Sequence, residues 1–370
     1  MKRGLSLLSL TTSDSEPLNR ETLREALQNE ITPANAFYTR AHFEVPEINA
    51  STWNLKIEGE SLKTFTLDDL HRLPQSRVIA TLECAGNGRR GFGKVVEGEF
   101  PWGDGAVGTA IWSGPQLSKL LEMSGLSQRG STGFVYFEGL DQKKVREPGK
   151  TPDGHNGGKF VRYLPLSNAF DADVIVALEM NGEVLPREHG YPARLIVPDW
   201  YGMASVKWLG RIYVSNSSSP RTYFNDTKYV YKPIAKDAES NITPVTAVRV
   251  KSMIDFPADG TTLALNERVT VQGKAWSGSG KISRVELKTD SGWVDAEIDE
   301  DRSKSLGRHA WAVWRKGWTP SKTGPMVLYV RATDEKGNVQ PDDPIKNAFQ
   351  YGYNAPSKVV VQVSKERSIT

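Results

Sequence analysis

The 370-residue sequence predicts a mixed α+β domain followed by an immunoglobulin-like β-sandwich domain. Three observations predict this. Helical periodicity and short apolar runs alternate through the first half without regular βαβ repetition. The connections between them are rich in glycine and proline. Beyond about residue 245 helix signals nearly vanish, and apolar segments recur about 8 to 20 residues apart with turns between them, as in a sandwich. Composition shifts through "SNSSSP" (215–220) and "KDAESNITP" (236–244), which divides the chain into residues 1–238 and 239–370.

The N-terminal "MKRGLSLLSLTTSDSEPLN" has two basic residues. Its apolar stretch is short, interrupted by serines and lacks a small-residue cleavage site, so it reads as an ordinary arm. In "PLNRETLREALQNEITP" Asn19 is placed to cap a helix, Leu23, Ala26 and Leu27 recur at helical spacing, and Pro33 ends the pattern. In "TLDDLHRLP" Thr66 and Asp69 have capping-box spacing and Pro74 stops the turn. The period then changes to two in "RVIATLEC", with Val78, Ala80, Leu82 and Cys84 on one face. This strand delivers Cys84 to its end, where the chain enters "AGNGRRGF". "WSGPQLSKLLEMSG" offers Ser113 as N-cap, Pro115 near the first helical position, a buried stripe of Leu117, Leu120 and Leu121, and Gly125 just past the end. "FVYFEGL" and "ARLIVP" read as short strands. "AVRVKSMI", "ERVTVQGKAW", "KISRVELKT", "HAWAVWRKGW", "MVLYVRATD" and "KVVVQVS" supply the strands of the sandwich.

Composition excludes some functions. Forty-seven basic against forty-four acidic side chains leave a net charge of +3, spread along the chain, which gives no nucleic-acid footprint. No run approaches the ~18 apolar residues of a membrane span. With 38% hydrophobic and 25% charged residues the chain is an ordinary globular one. Its single cysteine forms no internal disulfide and points to a cytoplasmic setting.

That cysteine carries the chemical question. Taken alone, Cys84 is a small buried hydrophobe, as most free cysteines are. Its neighbourhood argues for more, because a strand end opening into a glycine-rich turn leaves room to approach the sulfur, and Arg89 and Arg90 favour thiolate. A nucleophile wants a histidine base, and no local motif nominates one. A zinc site wants more ligands close in sequence. A single thiolate on a soft, redox-active metal whose other ligands come from a cofactor stays open.

"FYTRAH", "TLECAGNGRR", "GTAIWSGPQLSKLL", "FEGLD", "LEMNGEVLPREHGYPARLIVP" and "GMASVKWLGRI" occur in the order and approximate spacing of the sulfite oxidase family of molybdenum enzymes, which the chain resembles over roughly residues 35 to 215. The sandwich resembles that family's dimerisation domain. The resemblance implies molybdenum held by a molybdopterin cofactor, with Cys84 as the protein's thiolate ligand to the metal. Cofactor contacts are implied at Tyr38, Arg40 and His42, at Asp141, at His189 and Arg194, and at Ser205, Val206 and Lys207. A phosphate-bearing pterin needs such cations for its tail and such donors and acceptors for its ring edges. The implied reaction is oxygen-atom transfer to sulfite, yielding sulfate and two electrons for an external acceptor. A single cysteine leaves no attached c-type haem, and no cytochrome-like or flavin-binding segment is expected. Arg40 and Arg89 are the implied oxyanion clamps, Trp102 shapes the pocket, and Tyr229 is the implied active-site tyrosine, with Tyr231 and Tyr223 as competitors. A homodimer through the sandwich is expected, with no nucleic-acid or membrane partner.

Two departures from the family pattern stand out. Gly88 separates Cys-Ala-Gly-Asn from the arginine pair, so that Arg89 takes the second arginine's place and Arg90 moves onward. In "PIKNAFQYGYNAP", aligned on Pro344, Asn347 and Asn354, Phe349 stands where the family places a pocket arginine. Losing one charged hydrogen-bond partner costs about 1.5 to 3 kcal/mol, about ten- to over a hundred-fold in oxyanion affinity. Oxygen transfer involving nitrate or a sulfoxide is therefore an alternative, and a non-catalytic binding or assembly module is another.

Overall fold

A five-stranded sheet in the first half runs in the order Leu62–Thr66, Asn54–Glu58, Leu209–Ser215, Phe134–Gln142 and Lys159–Pro165. Its strands are antiparallel except that Leu209–Ser215 runs parallel to Asn54–Glu58. A four-stranded antiparallel sheet runs Glu183–Val184, Glu179–Met180, Val107–Pro115 and Gln75–Glu83. This computed structural model describes residues 17–127, 133–142, 158–215, 221–234 and 241–365. The N-terminal arm as far as residue 16 and the expected boundary at 238/239 lie outside the described residues.

The strand Gln75–Glu83 positions the cysteine. It pairs along its whole length with Val107–Pro115, and Val78, Ala80, Leu82 and Cys84 gather with Phe37, Trp102, Ala110 and Trp112 in one buried cluster. Each large aliphatic side chain so buried contributes roughly 1.5–3 kcal/mol. The opposite face is exposed at Gln75 and Arg77 but buried at Thr81 and Glu83, where the C-terminal domain covers it. Thr81 donates its backbone N–H to His309 O at 2.9 Å, and its hydroxyl accepts from Trp311 N at 2.9 Å. Glu83 accepts from Lys251 Nζ at 2.9 Å and from Trp276 Nε1 at 2.8 Å, both of the C-terminal domain. Removing one partner of such a buried ion pair costs about 3–5 kcal/mol.

Two helices match their sequence signals. Leu67–Arg72 carries the full capping box, with Asp69 N donating to Thr66 Oγ1 and Thr66 N donating to Asp69 Oδ2. Leu117–Met123 buries Leu117, Leu120 and Leu121, and Gly125 follows at φ +83°. Other boundaries differ. Ser113 caps nothing, because the strand Val107–Pro115 pairs as far as Pro115 with Gln75 and the helix starts two residues later, behind Gln116. Asn19 is not a cap either: it lies in the strand Asn19–Arg20, opposite Arg40, and the helix beyond it is a single turn, Arg24–Leu27. Strand pairing at both sites satisfies more backbone groups than a cap would.

The C-terminal domain is a hydrogen-bonded run of eight strands in the order Lys251–Phe256, Val269–Trp276, Ala312–Trp318, Gly292–Ile298, Ile282–Thr289, Gly324–Asp334, Ser357–Ser364 and Thr262–Ala264. The run folds over, so that Lys251–Phe256 packs across Gly324–Asp334 and Ser357–Ser364. Val271, Leu287, Trp314, Leu328, Val330 and Val361 fill the space between the layers. A helix, Glu300–Leu306, interrupts the strands despite the absence of apolar periodicity there. Asp299 caps it by accepting from Arg302 N at 3.1 Å. Among the described residues no helix is long and apolar enough to cross a membrane.

Candidate active site

Two cavities meet at Cys84, Arg40 and Tyr229, which line both. The turn after the strand creates the meeting point. Asn87 N donates to Cys84 O at 2.9 Å, while the Asn87 side chain donates to Glu83 and accepts from Ala106 N. Gly88 turns the chain at φ +80°. A Cβ on Gly86 would lie 2.8 Å from both Arg89 Nη2 and Trp102 Cδ1, so glycine is what lets those two side chains close over the turn. Burial pushes the Cys84 thiol up, and Arg40 and Arg89 oppose that push. A metal on this sulfur would take the proton's place. Among the described residues no three His, Cys, Asp or Glu side chains cluster to hold a metal.

The first cavity collects residues far apart in sequence. Tyr38, Arg40 and His42 come from the segment around the strand Thr39–Arg40, Asp141 from the strand Phe134–Gln142, His189 from the turn Arg187–His189, and Arg194, Ser205 and Lys207 from the segments that follow. Val206 does not line it; its side chain packs in the core between these neighbours. His189 Nε2 donates to Ala34 O at 3.0 Å, which leaves the other ring nitrogen as an acceptor. Burial, with Lys207 and Arg194 nearby, holds that ring down to about 3, hence neutral. Burial also drives His42 well below the ordinary value, so it is neutral too. Its Nε2 lies 2.7 Å from Tyr229 Oη.

Arg194 donates to His189 O at 2.8 Å and to Ser205 O at 3.1 Å, and lies over Trp112. Its Nε has no partner, nor does Asp141 Oδ1, although both atoms are buried. Burial raises the Asp141 carboxyl, with Lys207 opposing, while burial and Arg194 lower Lys207. Buried polar atoms without partners cost about 1–3 kcal/mol each, so the protein alone leaves this cavity unsatisfied. Cations, a lone carboxylate and neutral imidazoles fit a pterin that carries an anionic tail.

The second cavity is lined by Asn19, Arg89, Glu99, Phe100, Trp102 and Tyr351 besides the three shared residues. Arg89 is only 2% exposed. Its Nη1 donates to Phe100 O at 2.7 Å and its Nη2 pairs with Glu99 at 3.1 Å. Arg90 is exposed and outside both cavities. Tyr351 enters from the C-terminal domain, stacked on Tyr229 at 5.3 Å and on Phe349 at 5.7 Å. Tyr231 instead lies under Arg249, and neither it nor Tyr223 lines either of these two cavities. Sequence reasoning missed Glu99 and Tyr351, which line this cavity, and Lys228, whose ammonium pairs with Glu99. Glu99 carries no periodic signal, and Tyr351 lies two residues beyond the Phe349 position already singled out.

Residues 42–223 match the family model of the oxidoreductase molybdopterin binding domain, and residues 243–364 that of the Mo-co oxidoreductase dimerisation domain. The chain is 36% identical to a mitochondrial sulfite oxidase of Rattus norvegicus over 375 residues, covering 96% of this chain and 66% of that protein. It thus spans just under two thirds of that relative's length. It is 30% identical to a sulfite oxidase of Arabidopsis thaliana, covering 90% and 88% of the two chains. It is 31% identical to a nitrate reductase of Phaseolus vulgaris, covering 99% of this chain and 44% of that one. Among solved structures the sulfane dehydrogenase SoxCD of Paracoccus pantotrophus is similar, with a TM-score of 0.76, 26% identity and coverage of 96% and 88%. The chain belongs to the sulfite oxidase family of molybdopterin-dependent oxidoreductases, with a molybdopterin-binding domain followed by a dimerisation domain.

Proposed function

We propose that the protein oxidises sulfite to sulfate and passes the electrons to an external acceptor, working as a cytoplasmic homodimer joined through its C-terminal domain. In this reading residues 1–238 form the catalytic unit and 239–370 the dimerisation unit. One observation carries it: a cofactor-sized set of cations and acceptors and a separate arginine-lined cavity share the only thiol in the chain. When bound, the molybdenum cofactor supplies two-electron oxidation coupled to oxygen-atom transfer.

The chain's residues have separable tasks. Cys84 would hold the metal. Arg194, Lys207 and Arg40 would take the anionic tail and ring edges of the pterin, with Tyr38, His42, Asp141, His189 and Ser205 completing the set; Val206, its N–H and carbonyl already bonded to Ala204 O and Leu195 N, would only support its neighbours. Arg40 and Arg89 would hold the substrate oxyanion, and Trp102 and Tyr351 wall off water. Tyr229, its hydroxyl tied to His42 and its pKa pushed up by burial, stays protonated and would donate to an oxygen of the anion.

Phe349 and Glu99 support a second reading, in which the substrate is another small molecule such as nitrate or a sulfoxide, because they leave the second cavity less cationic than two arginines alone would make it. Assays of sulfite, nitrate and a sulfoxide with artificial redox dyes decide between them. Sulfite turnover is expected; turnover of nitrate with none of sulfite overturns the first reading.

A further inference from the structure

We propose that Glu99 sets the anion specificity of the second cavity as a fixed counter-anion, weakening the hold on doubly charged oxyanions and so favouring release of product. The identity of the anions rests on the sulfite-oxidising reading. A carboxylate is an unexpected wall for an anion site, and this one is well placed to act. It lines the cavity, is 9% exposed, and pairs both with Arg89 Nη2 at 3.1 Å and with Lys228. Its position is held from the far domain. Gln350 accepts from Val96 N at 3.0 Å and donates to Lys94 O at 2.9 Å, which pins the loop that carries Glu99.

Among the described residues the charged side chains that line the cavity are Arg40, Arg89 and Glu99, and Lys228 pairs with Glu99 without lining it. Lys228 stands 5.3 Å above the ring of Phe349, so a cation lies beside the residue that replaces the expected arginine, but Glu99 already occupies it. An entering anion meets a guanidinium with Nη1 spent on Phe100 O, Nη2 on Glu99, and Nε without a partner. It must compete with Glu99 or accept from the remaining donors beside a like charge. In a buried site that repulsion grows with the anion's charge. Sulfate therefore suffers more than a singly charged anion such as nitrate, and the product is held less tightly than the cations alone would hold it.

The test is calorimetric titration of the cofactor-loaded protein with sodium sulfate and with sodium nitrate, alongside the sulfite KM. Glu99→Gln keeps an oxygen for Arg89 and removes the charge. We expect its sulfate Kd to fall about ten-fold, with a smaller fall for nitrate and a lower sulfite KM, from removing one like charge at close range. Glu99→Asp should stay near wild type, and Lys228→Met should raise the sulfate Kd. An unchanged or raised sulfate Kd in Glu99→Gln, with the melting temperature held, means that Glu99 merely scaffolds Arg89 and overturns the proposal. Should sulfite prove not to be a substrate while sulfate affinity still follows the charge at position 99, the proposal stands and the sulfite reading falls; sulfite turnover with no response of sulfate affinity is the reverse.

Discussion

The two cavities that meet at Cys84 hold their charges in opposite ways. On the cofactor side Asp141 Oδ1 and Arg194 Nε are buried without partners, and Lys207 and Arg194 crowd together beside the Asp141 carboxylate that lines the cavity. On the other side Arg89 and Lys228 are already paired with Glu99, and among the described charged groups that line it only Arg89 Nε is buried without a partner. Unsatisfied groups favour a ligand that enters once and stays, because its binding removes their desolvation penalty. Pre-paired charges favour a ligand that comes and goes, because the protein's own counter-ion takes its place when it leaves. In the proposed function this difference separates a resident cofactor from a substrate.

Substitutions on each side break or sharpen this contrast. Cys84→Ser strikes the shared point and should abolish turnover while leaving the fold intact; circular dichroism and melting check the second half, and retained turnover would remove Cys84 as the metal ligand. Asp141→Ala affects the cofactor side alone. It deletes a charged acceptor worth about 1.5–3 kcal/mol, so the cofactor should be lost about ten- to a hundred-fold more readily, as read by pterin fluorescence after dilution. Arg89→Gln affects the other side alone. The sulfite KM should rise about ten-fold with molybdenum content unchanged, and an unchanged KM takes Arg89 out of the pocket.

The smallest effect is expected away from both cavities. His309 bridges the domains, its Nδ1 2.9 Å from Asp199 Oδ2 and its Nε2 3.0 Å from Asp173 Oδ2. Burial alone would lower its pKa, but the two carboxylates raise it above the ordinary value. The stabilisation is therefore fully present below about pH 6.5 and is lost as pH rises through the elevated folded-state value. His309→Gln should lower stability by about 1 kcal/mol at pH 6, with the gap to wild type closing in alkali, because both carboxylates are partly exposed. Denaturant titrations across pH measure it, and turnover should be unaffected.

Much of the architecture was readable in the sequence because local signals coincided with tertiary ones. The alternation in Gln75–Glu83 and the leucine stripe in Leu117–Met123 each match the face that is buried. Asn19 and Ser113 misled because either residue type caps helices equally well, and only the partner strands, Thr39–Arg40 and Gln75–Glu83, assign them to sheets. The polar face of Gln75–Glu83 was unreadable for a related reason, since Thr81 and Glu83 are buried by residues more than 160 positions away. At the site, motif register brought out Cys84, Arg40 and Arg89. Glu99 stayed hidden because its importance comes from pairing with Lys228, 129 positions away, on a loop pinned by Gln350.

Molybdenum quantification together with a sulfite assay, on one preparation from a host able to make the cofactor, tests the account most directly. About one molybdenum per chain with sulfite turnover is the predicted result, with both lost in parallel when the cofactor is stripped. A folded protein from that host with no molybdenum, and no gain of activity on cofactor reconstitution, would contradict it.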